Sequence, residues 1–153
     1  KASELMLTGL KDKDALVQRC AAEGLGKTPS LPHLQALLAT RAATPAADTH
    51  LVYVLRKAIR DQLNSEPTLQ QVARHSWSTP ELKNLLEVAI AVPSPGAASF
   101  LLNHLNDLGD QPSLDDVLRQ AALGSVPRSL AEPLAKSRYG QYLQNILKYE
   151  TRT

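Results

Sequence analysis

Apolar positions recur along this chain at helical spacing, in segments set apart by proline, glycine and short polar caps. After Asp14, the residues Val17, Cys20, Ala21, Gly24 and Leu25 fall on one face of a predicted helix that Gly26 ends. The Asp14 carboxylate suits its N-cap. A turn through Thr28-Pro29-Ser30-Leu31-Pro32 feeds a second helix carrying Leu34, Leu37, Leu38 and Arg41, which Thr44-Pro45 breaks. From Asp48 the pattern predicts a long amphipathic helix with Leu51, Val52, Leu55, Ala58, Ile59 and Leu63 inward. Its opposite face carries Tyr53, Arg56, Lys57 and Arg60. Glu66-Pro67 begins another helix through Leu69, Val72 and Ala73, ending near His75-Ser76. Ser78-Thr79-Pro80-Glu81 reads as a capping box with proline in the first turn, so a helix presenting Leu82, Leu85, Leu86, Ala89 and Ile90 begins there.

The pattern continues past the turn Pro93-Ser94-Pro95-Gly96. It predicts a helix over residues 97–108 with Leu101, Leu105 and Leu108 on one stripe, and a further one opened by Pro112-Ser113, whose early Asp115 and Asp116 suit a helix N-terminus. A short helix around Leu130 and Leu134 is expected before a last one with Tyr139, Tyr142, Leu143, Ile146 and Leu147 on its apolar side. Openings at Asp14, Asp48, Pro80 and Ser113 are spaced by 34, 32 and 33 residues. A period of roughly 20 to 50 residues marks repeat architectures, whose units bury their apolar faces only by stacking on neighbours. The expected fold is therefore all-α, an α-α superhelix of about four to five antiparallel helix pairs, forming one domain over residues 1–153.

Within the first pair, the run from Leu10 through Asp14, Val17, Ala21, Ala22, Leu25 and Gly26 resembles the short HEAT-like repeat of the lyase type, with Gln18 where Arg is usual and Arg19 beside it. The helix from Asp48 keeps the Asp opening but replaces the Ala pair with Leu55-Arg56, and the later units keep only the spacing. The Trp/Gly/Tyr pattern of tetratricopeptide repeats and the Thr-Pro-Leu-His of ankyrin repeats are absent. This resemblance implies a right-handed stack of helix pairs, a HEAT-like solenoid, acting as a non-catalytic scaffold for protein interaction or as an interdomain spacer. The stretch from Asp48 to Leu63 also resembles the helical-repeat region of large secreted bacterial proteins that join a propeller dehydrogenase module to a c-type haem domain. That resemblance implies a spacer between redox modules in an extracytoplasmic setting, in a parent that is an oxidoreductase. The alternative class is a HEAT-like enzyme or nucleic-acid-binding module, such as a DNA glycosylase or a lyase relative.

Composition agrees with helix-on-helix packing: 43% of residues are hydrophobic and only 4% aromatic, with Leu and Ala dominating. A formal charge of +2 is too small to imply nucleic acid or an anionic membrane surface. The longest apolar run, residues 88–92, falls far short of the roughly 20 residues that span a bilayer. Lys1 in place of an initiating Met, with no leader pattern behind it, suggests a fragment of a longer chain.

Candidate chemistry is sparse. Some HEAT-like proteins are iron hydroxylases built on His-Glu pairs, but His33, His50, His75 and His104 are followed by Leu34, Leu51, Ser76 and Leu105, so no metal or other cofactor is expected. The lone Cys20, set between Val17 and Gly24, reads as a buried and inert thiol. Gly24-Leu25-Gly26-Lys27-Thr28 echoes a phosphate loop but ends a helix instead of following a strand. Trp77 reads as a plug between repeats. What remains is a binding face of Tyr53, Arg56, Lys57 and Arg60, which Arg19 and Arg119 extend from corresponding helices. The expected partner is a protein or an adjacent domain of the same chain. Nucleic acid is disfavoured, because aromatic residues do not interleave with the basic ones.

Overall fold

The computed structural model describes residues 1–104 apart from 90 and 93, and the side chains at 95, 98 and 102 are likewise left aside. The chain divides into two units, Lys1–Val92 and the part from Pro93 onward. Among the described residues all regular structure is helical. The first unit contains α1 (Ala2–Gly9), α2 (Ala15–Gly26), α3 (Leu31–Ala43), α4 (Thr49–Leu63), α5 (Glu66–Arg74) and α6 (Thr79–Ala89), and α7 (Pro95–Asn103) belongs to the second. In α7, Ala97, Phe100 and Leu101 are buried, the last as the leucine stripe predicts. The expected helices from Ser113 onward, Arg119, Leu105 and Leu108 lie outside the described residues.

Helix starts follow their caps. Asp14 Oδ1 accepts the Leu16 N–H at 2.8 Å, and Asp48 Oδ1 accepts the Leu51 N–H at 3.1 Å. Ser30 Oγ accepts the His33 N–H at 3.3 Å, with Pro32 in the first turn where a missing N–H costs nothing. At α6 the Glu81 carboxylate accepts from both the Ser78 N–H (3.0 Å) and the Ser78 hydroxyl (2.7 Å). α1 has no counterpart in the sequence reading, since it carries no buried residue and its Lys1 N-cap makes no side-chain cap bond.

α4 is the centre of the first unit and packs on α2, α3, α5 and α6. Its buried stripe comprises Leu51, Val54, Leu55, Ala58, Ile59, Gln62 and Leu63. Leu25, Leu34, Leu37, Leu38, Leu85 and Leu86 from the surrounding helices complete the core. Fully burying each such leucine contributes about 1.5–3 kcal/mol. Further contacts join α1 to α2, α2 to α3, and α3 to both α5 and α6, the last reached past an α5 of only nine residues.

The face of α2 corrects the sequence reading. Cys20 is exposed and Val17 is 40% exposed, whereas Ala21, Ala22, Leu25 and Gly26 are buried. Of the predicted face, Ala21 and Leu25 are inward, whereas Val17 and Cys20 are not. The smallest residues decide instead, because they let neighbouring backbones come close: a Cβ on Gly26 would sit 3.2 Å from Ala58 Cα of α4, and one on Gly24 would overlap Met6 Sδ of α1. Smaller departures have the same character. Val52 is half-buried, Ala73 is exposed, and Thr68 takes the buried place beside Leu69 and Val72.

Gln62 is fully buried, and both ends of its amide are used. Its Nε2 donates to the Leu25 carbonyl at 2.6 Å and its Oε1 accepts the Ser30 N–H at 2.8 Å. One side chain of α4 thus fastens the turn that joins α2 to α3.

Candidate functional site

The polar face of α4 borders a cleft of about 420 Å³ whose other wall is the C-terminal half of α6 together with Ala91. Thr49, Tyr53, Arg56, Lys57 and Arg60 come from α4, Glu87 and Val88 from α6, and Val52, Ala46 and Ala91 add apolar surface. The arrangement follows from the register of α4. Positions 53, 56, 57 and 60 lie opposite the stripe that holds the core, so burying Leu55 and Ile59 turns these four outward together.

Tyr53 is 65% exposed, and Arg56, Lys57 and Arg60 are exposed too. Among the described residues, no ion pair engages the three cations or Glu87. An unpaired guanidinium keeps five donors in a fixed fork, and the i, i+4 placement of Arg56 and Arg60 sets their Cα atoms about 6 Å apart along the helix. The cleft can therefore offer forked donors along one wall, an apolar floor, a phenol at the rim and one carboxylate opposite.

Of the five expected face residues that are described, four thus share one surface. Arg19 stands elsewhere: its Nη1 donates to Nδ1 of His50 at 3.4 Å, and neither residue lines the cleft. Asp61, a neighbour of Arg60 in sequence, is also set apart, with its Oδ2 3.5 Å from the Cβ position of Gly26 on α2. Glu87 and the apolar wall were not anticipated. Glu87 is one of several polar residues on its helix, and only the packing of α6 on α4 gives it this neighbourhood.

The remaining candidates have local partners. His33 Nδ1 lies 2.6 Å from the Thr28 carbonyl, His75 Nε2 lies 3.4 Å from Gln35 Nε2, and His104 stacks obliquely on Phe100 with ring centroids 4.8 Å apart. Half-buried Trp77 donates its indole N–H to the Val72 carbonyl at 3.0 Å and tilts against His75 at 4.4 Å. Its polar tip is therefore occupied by the end of α5. Glu81 is held below the ordinary carboxylate pKa, first by the Ser78 hydroxyl and then by the Ser78 N–H, with His75 adding a smaller pull and burial opposing.

Comparison of the chain with protein-family models, with curated proteins and with solved structures finds no match. Among the described residues no helix is long and apolar enough to cross a membrane.

Proposed function

We propose that the chain is a non-catalytic helical scaffold of stacked HEAT-like pairs and that it binds a protein partner through the polar face of α4. The observation that carries this is the set of three exposed cations, without an ion pair among the described residues, beside a cleft with an apolar floor. A concave surface, largely apolar and set with a few polar groups, is the usual form of a binding site. Contacts between alternate helices, α2 with α4, α4 with α6 and α3 with α5, support the stacked-pair reading.

The test is to pan a random peptide library on the purified full chain and on a variant carrying Tyr53→Ala and Arg56→Glu. These exposed substitutions leave the core intact, which circular dichroism checks. Peptides enriched on the parent chain and released by the variant support the assignment. Enrichment that survives the double substitution, or no enrichment at all, overturns it.

A further inference from the structure

We infer that the occupant of the α4–α6 cleft is an extended acidic peptide segment with carboxylates at alternate residues. This rests on the interaction-face reading above and names the chemistry of the partner.

Charge complementarity selects the sign. Arg56, Lys57 and Arg60 form one wall with no paired anion among the described residues, where the facing wall supplies Glu87. Geometry selects the spacing. Arg56 and Arg60 repeat about every 6 Å along α4, and side chains on one face of an extended strand repeat about every 6.6–6.8 Å. An Asp-Xaa-Asp segment laid along α4 therefore meets both guanidinium forks in register, whereas adjacent acidic residues point to opposite sides of the strand.

Glu87 gives the site its selectivity. A peptide presents backbone N–H donors along its other edge, and Glu87 can accept from one of them. A nucleic-acid strand presents a further row of anions there, and Glu87 repels it. Among the described lining residues Tyr53 is the sole aromatic side chain, not the series of aromatic residues on which bases stack.

The experiment measures binding of three fluorescein-labelled probes to the full chain at low salt: a peptide of alternating Asp and Thr, a peptide of the same composition with all Asp in one block, and a single-stranded DNA. The alternating peptide is expected to bind most tightly and to weaken about tenfold or more when Arg56→Gln and Arg60→Gln are combined, since both charged, forked donors are then lost. Glu87→Gln is expected to improve the DNA probe relative to the peptide. Equal binding of the alternating and blocked peptides overturns the register. Tighter binding of DNA in the parent chain overturns the choice of partner in favour of nucleic acid. Self-association abolished by Arg56→Gln overturns it in favour of a second copy. If the library yields only neutral peptides that Tyr53→Ala releases, the acidic occupant falls while the interaction face stands.

Discussion

Gln62 donates its side-chain amide to the backbone carbonyl of Leu25, 37 positions earlier, across 2.6 Å of an interior closed to solvent. Its carbonyl end accepts the Ser30 N–H, so a single residue satisfies the orphan donor ahead of α3 and adds a bond to the Leu25 carbonyl, which also accepts the Thr28 N–H. Gln62→Leu strands the Ser30 N–H, while the Leu25 carbonyl keeps the Thr28 N–H at 3.1 Å, and a buried unsatisfied group costs about 1–3 kcal/mol. Urea unfolding should show that loss with an unchanged slope. Gln62→Glu keeps the acceptor for Ser30 but sets an anion against the Leu25 carbonyl. Its deficit relative to the parent should shrink as pH falls and the carboxyl gains a proton to donate. A deficit that does not change with pH would contradict this role.

Gly26 and Gly24 separate helix propensity from packing. Glycine to alanine inside a helix gains about 0.5–1 kcal/mol when there is room. At Gly26 the new methyl meets the backbone of Ala58, which cannot move without shifting α2 off α4, so Gly26→Ala should cost about 1–3 kcal/mol net. At Gly24 the obstacle is the flexible thioether of Met6, a half-buried side chain that can swing outward. Gly24→Ala should therefore stay within about 1 kcal/mol of the parent, the gain in propensity offsetting the loss of contact. Thermal melts of the two variants, compared side by side, decide the matter.

Cys20 should behave as a surface thiol. It is exposed on α2, so a maleimide should modify it fully in the folded protein without denaturant, and Cys20→Ser should change stability by less than about 0.5 kcal/mol. Labelling that appears only on unfolding would place the thiol in the interior after all.

The Cys20 result also marks how far the sequence could be read. Caps and proline punctuation placed the starts of α2 through α6, because Asp14, Ser30, Asp48 and Ser78 act through contacts within a few residues of themselves. The polar face of α4 was legible too, since Leu51, Leu55, Ile59 and Leu63 define its core stripe strongly enough to fix the opposite side. The inner face of α2 was not, because its packing depends on Gly26 and Ala22, residues whose hydrophobicity says little and whose smallness matters only once a partner backbone is in place. Gln62 and Glu87 escaped for the same reason. A polar residue in a helix is read as solvent-facing until the neighbouring elements assign it a bond or a cleft.

Glu81 predicts a modest acid sensitivity of α6. Its pKa is lowered on folding, so the folded state binds the proton less readily than the unfolded one, whose value lies near 4.5. The contribution is thus fully present above pH about 4.5 and is lost as pH falls through the lower folded value. Glu81→Gln should leave a chain whose stability varies less with pH over that acidic window and whose midpoint at neutral pH is slightly lower, as expected for a weakened N-terminal cap. An unaltered acid profile in the variant would show that the Ser78 contacts do not bind the carboxylate preferentially.

Arg56 offers a way to separate stability from binding. Arg56 and Arg60 are like charges at i, i+4 with no ion pair among the described residues, an arrangement that costs about 0.2–0.5 kcal/mol on a helix. Arg56→Glu converts the pair to the favourable order, with the acid N-terminal to the base, and should raise stability by a similar amount at low salt. The gain should fade as salt screens it. The same substitution reverses the charge at the centre of the cleft wall, so affinity for an acidic peptide should collapse in the variant that melts later. A cation kept at a small cost to the fold is what a binding role requires. If Arg56→Glu instead lowers the melting temperature, the arginine has a structural task, and its exposure beside the cleft no longer argues for a partner.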